Sequence, residues 1–597
     1  MNKLLVVFLL ALPGLAAPKI RLLSAEPTVL FPRATPLRQI AYVTILNEEE
    51  GNVTCELSAQ VMGGASGPAV SVKAGLGSSR HRVLVPDIEA PAEVQFTVRA
   101  AGEVVAKKKE AWQPQRKWKV YIIKSSHEDL GYENYIFKKQ HDIANYIDLA
   151  GFLSKSTENV SDLERKSDAK YHYTMESLLF ARNYIEERGE RAWREIVEKD
   201  IKTGRMNLMG APSGVHSHWM DYEELARMTY PGRREMKDRF GLDLKTFMIV
   251  DNPSLSWSGA QAVADAGFKY VARWGQGWRS GGNNDYKTTH VPALFWWQAP
   301  DGVHRVLFGW RSHYAMPFWY GQSGGGYGNL IDLASDDVST HLRQVESGAA
   351  LGPYPYDALI NPEYVDHDIP RFDTRVLPLW AEKYAYPDIR IGNPDQFFAY
   401  IESRYGSQLP VLKGDLNNNS ADYATIDPES QGWKRHAARL LPIAEGLGAL
   451  AGATRPGYLL SQSFIDRTYT RMWDYDEHSW PTQPQATDVQ LFNAAWVKKE
   501  EARRLRGYTE SAVEETSAEF GKLIRTGPGE TIAVFNALAH RRTEIAHVKA
   551  DVAALTDLAT GKRVACQKDA DGGSIFLASD VPAYGYKLFQ VEHERAA

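Results

Sequence analysis

Residues Tyr121–Tyr132 read YIIKSSHEDLGY, an apolar run that passes into a turn. Val120-Tyr121-Ile122-Ile123 has the composition of a buried strand, and Gly131 is a turn residue. Where a parallel strand ends, side chains two apart project to the same side, at the mouth of the sheet. His127 and Asp129 are therefore placed to share one cation or one sugar hydroxyl. The plain alternative is a strand-to-helix turn in which Asp129 caps the helix. The stretch alone does not separate the two.

Working outward toward the C-terminus, strand-like runs alternate with helical ones. Helices are expected over 142–152, 175–185, 191–202 and 221–240, and strands over 206–210, 247–250 and 270–272. A helix over 258–266 falls between the last two strands. That alternation implies a parallel sheet or barrel. Residues 275–330 read as irregular, with QSGGGYG at 322–328 as a flexible substrate-side loop. That loop lacks the Lys-Ser/Thr of a phosphate cradle. The strand-helix texture returns over 356–405, with a helix expected over 375–386. Residues 430–525 read as a helical bundle and 530–597 as a small C-terminal β domain. Toward the N-terminus, residues 20–112 alternate in short runs between Gly- and Pro-rich turns, the pattern of an antiparallel sandwich.

The first residues, MNKLLVVFLLALPGLAAPK, place one Lys before an apolar run from Leu4 to Leu12. This is the pattern of a secretory signal peptide over 1–16, too short to span a bilayer. A secreted or periplasmic protein with no membrane span is expected. The chain has 597 residues, so several domains are expected, and its net charge of -5 gives no basic footprint for nucleic acid. Only two cysteines are present, Cys55 and Cys566, which leaves room for one disulfide and excludes a cysteine-based zinc site. The 16 Trp and 29 Tyr suit a carbohydrate cleft, since flat rings stack on sugar faces, but they equally fill cores.

Besides His127 and Asp129, two further positions join the candidate set. Asp251 directly follows the apolar run Phe247–Val250, and His478 lies in Trp473–Trp480, WDYDEHSW, between helical segments. Two His and two Asp suit a divalent cation such as zinc, though their spacing carries no signal.

Four stretches together resemble glycoside hydrolase family 38, the α-mannosidase-type enzymes, and its shorter bacterial relatives. HEDLGY at His127–Tyr132 matches the family's His-x-Asp motif after the first barrel strand. VDNPSLSWSGAQAVADAGFKYVARW at Val250–Trp274 is similar to the segment carrying the nucleophile. DEHSW at Asp476–Trp480 is similar to the region of the last metal ligand, with Glu477 where the family has a second His. VFNALAHRRTEI at Val534–Ile545 is similar to the start of the family's C-terminal β region. The resemblance implies a seven-stranded β/α barrel catalytic domain, over 118–425, with the helical bundle and the flanking β domains. It implies Zn2+, or another divalent cation, on His127, Asp129, Asp251 and His478. It implies a retaining hydrolase with Asp251 as nucleophile and Asp366 or Asp368 as acid/base. The substrate would be a complex glycan or an oligosaccharide derived from a polysaccharide.

Residues expected to contact that substrate are Tyr132, His216, His218, Arg273, Trp319, Tyr320 and Asp415. His216 and His218 could equally be surface histidines, Asp415 a turn cap, and Arg273 a structural ion-pair partner. Trp296, Trp297 and Trp310 are as readily core as sugar platform. A second expectation on the same scaffold is a polysaccharide lyase, with a cation or Arg273 neutralising a uronate carboxylate ahead of β-elimination.

Overall fold

The computed structural model describes residues 19–130, 140–156, 172–251, 254–275, 291–311, 327–348, 352–366, 369, 376–416, 425–455, 457–480, 488–525 and 527–592. Parallel strands in two sheets position the site. Lys119–His127, Tyr173–Met175, Met206–Leu208 and Ala358–Asp366 belong to one sheet, with Lys119–His127 paired to Ala358–Asp366 on one side and to Tyr173–Met175 on the other. Thr246–Val250, Tyr270–Trp274 and Arg305–Arg311 form the parallel core of a second sheet. The two sheets meet at Gly210, whose N–H donates to the Thr246 carbonyl at 2.9 Å. The ladder is thus two sheets, not one continuous ring. Met206–Leu208 offers only three residues to a neighbour, and Pro362 in the last strand has no N–H to give.

Every residue of Thr246–Val250 and Tyr270–Trp274 is buried. Such strands read as continuous apolar runs because helices cover one face while the other fills the interior. Within 275–330, the structure corrects the irregular reading. Leu294–Gln298 and Arg305–Arg311 form an antiparallel hairpin, closed where Asp301 Oδ1 accepts the Val303 and His304 N–H groups. Both strands are apolar on both faces and lack alternation, so period two gives no signal. Trp297 is fully buried and Trp296 nearly so, which makes them core. The helix expected over 221–240 is two helices, Tyr222–Arg227 and Tyr230–Phe240, with Pro231 in the first turn of the second. The helix expected over 375–386 is Val376–Lys383 followed by a strand, Tyr384–Tyr386. The segment 322–328 runs into a helix, Tyr327–Glu346.

An antiparallel sandwich of a three-stranded and a four-stranded sheet spans Ile20–Trp112, packed around Val43, Leu57, Val83, Phe96 and Trp112. It is docked on the parallel-strand domain. Phe31–Pro32 pairs with Tyr384–Tyr386, and the Arg82 guanidinium lies 3.2 Å from the Asp336 carboxylate on the Tyr327–Glu346 helix. Helices Pro428–Thr454, Gln462–Tyr475 and Asp488–Gly521 make the bundle, and a six-stranded antiparallel sheet spans Thr531–Glu592. Cys55 and Cys566 are both free, so the pair forms no disulfide. Among the described residues no helix is long and apolar enough to cross a membrane.

Candidate metal and sugar site

The strand Lys119–His127 ends on a buried imidazole because its last residues run to the rim of the sheet. His127 Nε2 lies 3.3 Å from Asp129 Oδ1. From across the molecule His478 Nε2 comes within 3.2 Å of the same oxygen and 3.0 Å of Asp251 Oδ2. One ligand atom from each of His127, Asp129, Asp251 and His478 lies within 4.8 Å of the other three. A cation bound about 2.1 Å from each of four tetrahedral ligands spaces them about 3.4 Å apart. The separations of 3.0–3.3 Å are close to that spacing.

Each ring is held by a carboxylate on its other nitrogen. Glu176 Oε2 lies 3.2 Å from His127 Nδ1, while Glu176 Oε1 accepts the Glu128 N–H. Glu477 Oε1 lies 2.5 Å from His478 Nδ1, while Glu477 Oε2 accepts the Leu130 N–H at 3.1 Å. A carboxylate on Nδ1 leaves Nε2 to face the centre, the arrangement that metal-binding histidines use. Burial opposes a positive charge on either ring. The carboxylates outweigh it, Glu176 and Asp129 for His127 and chiefly Glu477 for His478, and hold both pKa values well above the usual range. Four carboxylates, those of Asp129, Asp251, Glu176 and Glu477, thus surround the two rings. The residues present therefore fit a divalent cation by donor type, spacing and orientation.

Asp251 adopts φ +65°, in the left-handed region, immediately after its strand. Asp tolerates that region better than most residues, and the turn sends the chain away while the carboxylate stays at the rim. The Arg273 side chain is 1% exposed and runs beneath this turn. A Cβ at Gly275 would stand 2.5 Å from Arg273 Nη1 and 3.0 Å from the Asp251 carbonyl, so the glycine leaves room for the guanidinium. Buried there, Arg273 is not the open cation that the lyase reading requires.

The WDYDEHSW turn is anchored from several sides. His216 N–H donates to the Asp476 carbonyl, His478 N–H to the Gly214 carbonyl, and Val215 bridges to Glu477. Two buried lysines of the bundle hold it as well. Lys498 Nζ donates to the carbonyls of Asp474, Tyr475 and Glu477 at 3.3, 2.8 and 3.2 Å. Lys434 bridges the Asp476 carboxylate and Glu224, the latter at 2.7 Å.

The remaining sequence candidates fall in different places. His216 is fully buried, with its ring 4.1 Å from Trp219 and its Nδ1 accepting the Ser254 N–H. That position braces the loop and does not face a cleft. His218 is half-buried beside Asp415, at 3.7 Å. Asp415 Oδ1 accepts the N–H of Trp257 at the start of the helix Trp257–Asp265. Asp366 sits in parallel register with His127 at the ends of neighbouring strands. The Asp366 side chain, Tyr132, Trp319, Tyr320 and Asp368 lie outside the described residues. Sequence reasoning missed Glu176, Lys434 and Lys498. Glu176 directly follows the strand Tyr173–Met175, the signal that had singled out His127 and Asp251.

Comparison with known proteins agrees with this geometry. The profile of the glycosyl hydrolases family 38 N-terminal domain matches residues 117–415, half of the chain. No curated protein matches the chain. Among solved structures, an α-mannosidase from Enterococcus faecalis V583 superposes with a TM-score of 0.56 at 16% identity, covering 81% of this chain and 55% of its own. The chain thus spans about half the length of that relative. A 4-α-glucanotransferase from Thermococcus litoralis gives a TM-score of 0.34 at 9% identity over 65% of this chain and 60% of its own. With the profile spanning the strands that lead into His127, Asp129 and Asp251, the chain belongs to glycosyl hydrolase family 38.

Proposed function

We propose that this protein is a metal-dependent, retaining glycoside hydrolase of α-mannosidase type, acting on complex glycans or oligosaccharides derived from polysaccharides. The convergence of His127, Asp129, Asp251 and His478 on one point carries the reading. Those residues would hold Zn2+ or another divalent cation. The cation would supply Lewis acidity and a template for vicinal sugar hydroxyls. Asp251 attacks the anomeric carbon and its carboxylate forms the glycosyl ester. A second carboxyl protonates the leaving oxygen, then takes a proton from water. We assign that second role to Asp366 or Asp368, and the register of Asp366 beside His127 supports it. We read the two parallel sheets as halves of the family's seven-stranded barrel. The apolar leader Leu4–Leu12 supports export to the periplasm or beyond.

The test is an aryl α-mannoside, followed by NMR for the anomer first released and by elemental analysis of the purified protein. Asp251→Asn keeps the shape and loses the nucleophile, so turnover should fall by at least about a thousandfold. An unchanged rate, or a first product of inverted configuration, would overturn the assignment.

A further inference from the structure

A second cavity lies one aromatic layer from the metal cluster. It has a volume of about 490 Å³ and is walled by His218, Trp219, Gln431, Arg435 and Arg439, with Asp221 at its edge. That volume is in the range of small-ligand sites, which run from roughly 300 to 1,000 Å³. Trp219 separates it from the site already described. The Trp219 ring lies 4.1 Å from His216, tilted by 35°, and meets Trp480 edge-on at 5.8 Å, and Trp480 is two residues from His478.

Three features of the lining point to a ligand. Gln431 is 8% exposed, and among the described residues its Nε2 has no hydrogen-bond partner. A buried amide donor without an acceptor carries an unrepaid desolvation cost, which an acceptor on a bound molecule would offset. Arg435 and Arg439 stand one turn apart on the helix Pro428–Thr454. Among the described residues no carboxylate pairs with Arg435, and Arg439 reaches only Asp221, at 3.9 Å. That aspartate is already engaged, since its Oδ1 accepts the Tyr222 N–H as a helix cap. In a chain of net charge -5, this cavity gathers unspent positive charge. An indole, an amide donor and two guanidiniums are the equipment for a sugar ring that carries an anionic group.

We propose that this cavity is a subsite for an acidic sugar unit, carboxylated or sulfated, of the glycan whose other end reaches the metal cluster. The ring packs on Trp219, a hydroxyl or ring oxygen accepts from Gln431, and the anionic group pairs with Arg435 and Arg439. The proposal rests on the hydrolase reading for its substrate, but its test is separate.

The experiment is calorimetric titration of the whole protein with three tetrasaccharides: a tetragalacturonate, a sulfated galactan tetrasaccharide and neutral mannotetraose. At least one charged probe should bind ten times more tightly than the neutral one, and the tighter of the two identifies carboxylate or sulfate. Raising the salt concentration should narrow the gap. Arg435→Gln with Arg439→Gln, both at exposed positions where the fold does not depend on them, should abolish the preference while turnover of the aryl mannoside stays unchanged. Equal binding of all three probes, binding of none, or a preference that survives the double substitution would overturn the subsite. An aryl mannoside left intact by a protein that still captures a charged tetrasaccharide would instead sink the activity and leave the subsite standing.

Discussion

The strand side and the bundle side of the candidate metal cluster deliver their residues by different means. On the strand side, His127, Asp129 and Asp251 sit at or just beyond the ends of parallel strands, where ladder register fixes the backbone beneath them. On the bundle side, His478 lies in a turn after the helix Gln462–Tyr475, and the turn's position depends on side chains buried in the core. Lys434 bridges Asp476 and Glu224, Lys498 satisfies three carbonyls, and Glu477 ties the turn to Leu130. A sheet places a side chain through many shared backbone bonds. A turn placed by buried charges depends on each of a few partners, and each partner is costly to lose.

Removing the most deeply buried charge should therefore have the largest effect. Lys434→Met leaves Glu224 and Asp476 facing each other without a counter-ion, and breaking a buried ion pair costs about 3–5 kcal/mol. Urea unfolding of the metal-free protein measures the loss. A change below about 1 kcal/mol would mean that the triad does not hold the turn.

The next substitutions separate the two sides directly. Lys498→Met on the bundle side and Glu176→Gln on the strand side each remove a group that orients a ligand. Each should weaken metal binding by about 10–100-fold, read by competition with a chelator. Hydrogen exchange distinguishes them. The 474–480 turn should exchange faster in Lys498→Met and remain protected in Glu176→Gln, where the ladder still holds the strand. Equal loosening of both regions would erase the distinction drawn between them.

The same contrast explains what the sequence made visible. The apolar runs ahead of His127 and Asp251 were legible because a buried parallel strand has a composition of its own and a defined end. The hairpin Leu294–Arg311 was not, because strands buried on both faces carry no alternation, and here they are crowded with Trp and Phe. His478 was found through a family motif, since nothing in WDYDEHSW shows that it meets a strand end some 350 positions earlier. Lys434 and Lys498 were invisible for a simpler reason. A lysine on a helix reads as solvated, and only the packed structure shows these two in the core. Glu477 was noticed as a departure from the family, but its bond to His478 Nδ1 became clear only in three dimensions.

The smallest expected effect lies away from the cluster, on the helix that the N-terminal sandwich grips. His341, on Tyr327–Glu346, accepts from the buried Arg311 guanidinium at 2.9 Å. Burial, with Arg311 adding to it, pushes the His341 pKa down to about 4. The folded state therefore refuses a proton that the unfolded chain takes up below about pH 6.5. Because the unfolded state binds more protons in that window, stability falls as pH drops from about 6.5 toward 4 and levels off below it. At pH 5.5 the loss from this one group should be about 1 kcal/mol. His341→Gln keeps an acceptor for Arg311 but does not titrate. The difference in stability between the two proteins should shift by that amount between pH 7 and 5.5. A constant difference across the range would show that His341 takes up its proton at the same pH in the folded and unfolded states, and the sandwich-gripped helix would then carry no acid-sensitive contact at Arg311.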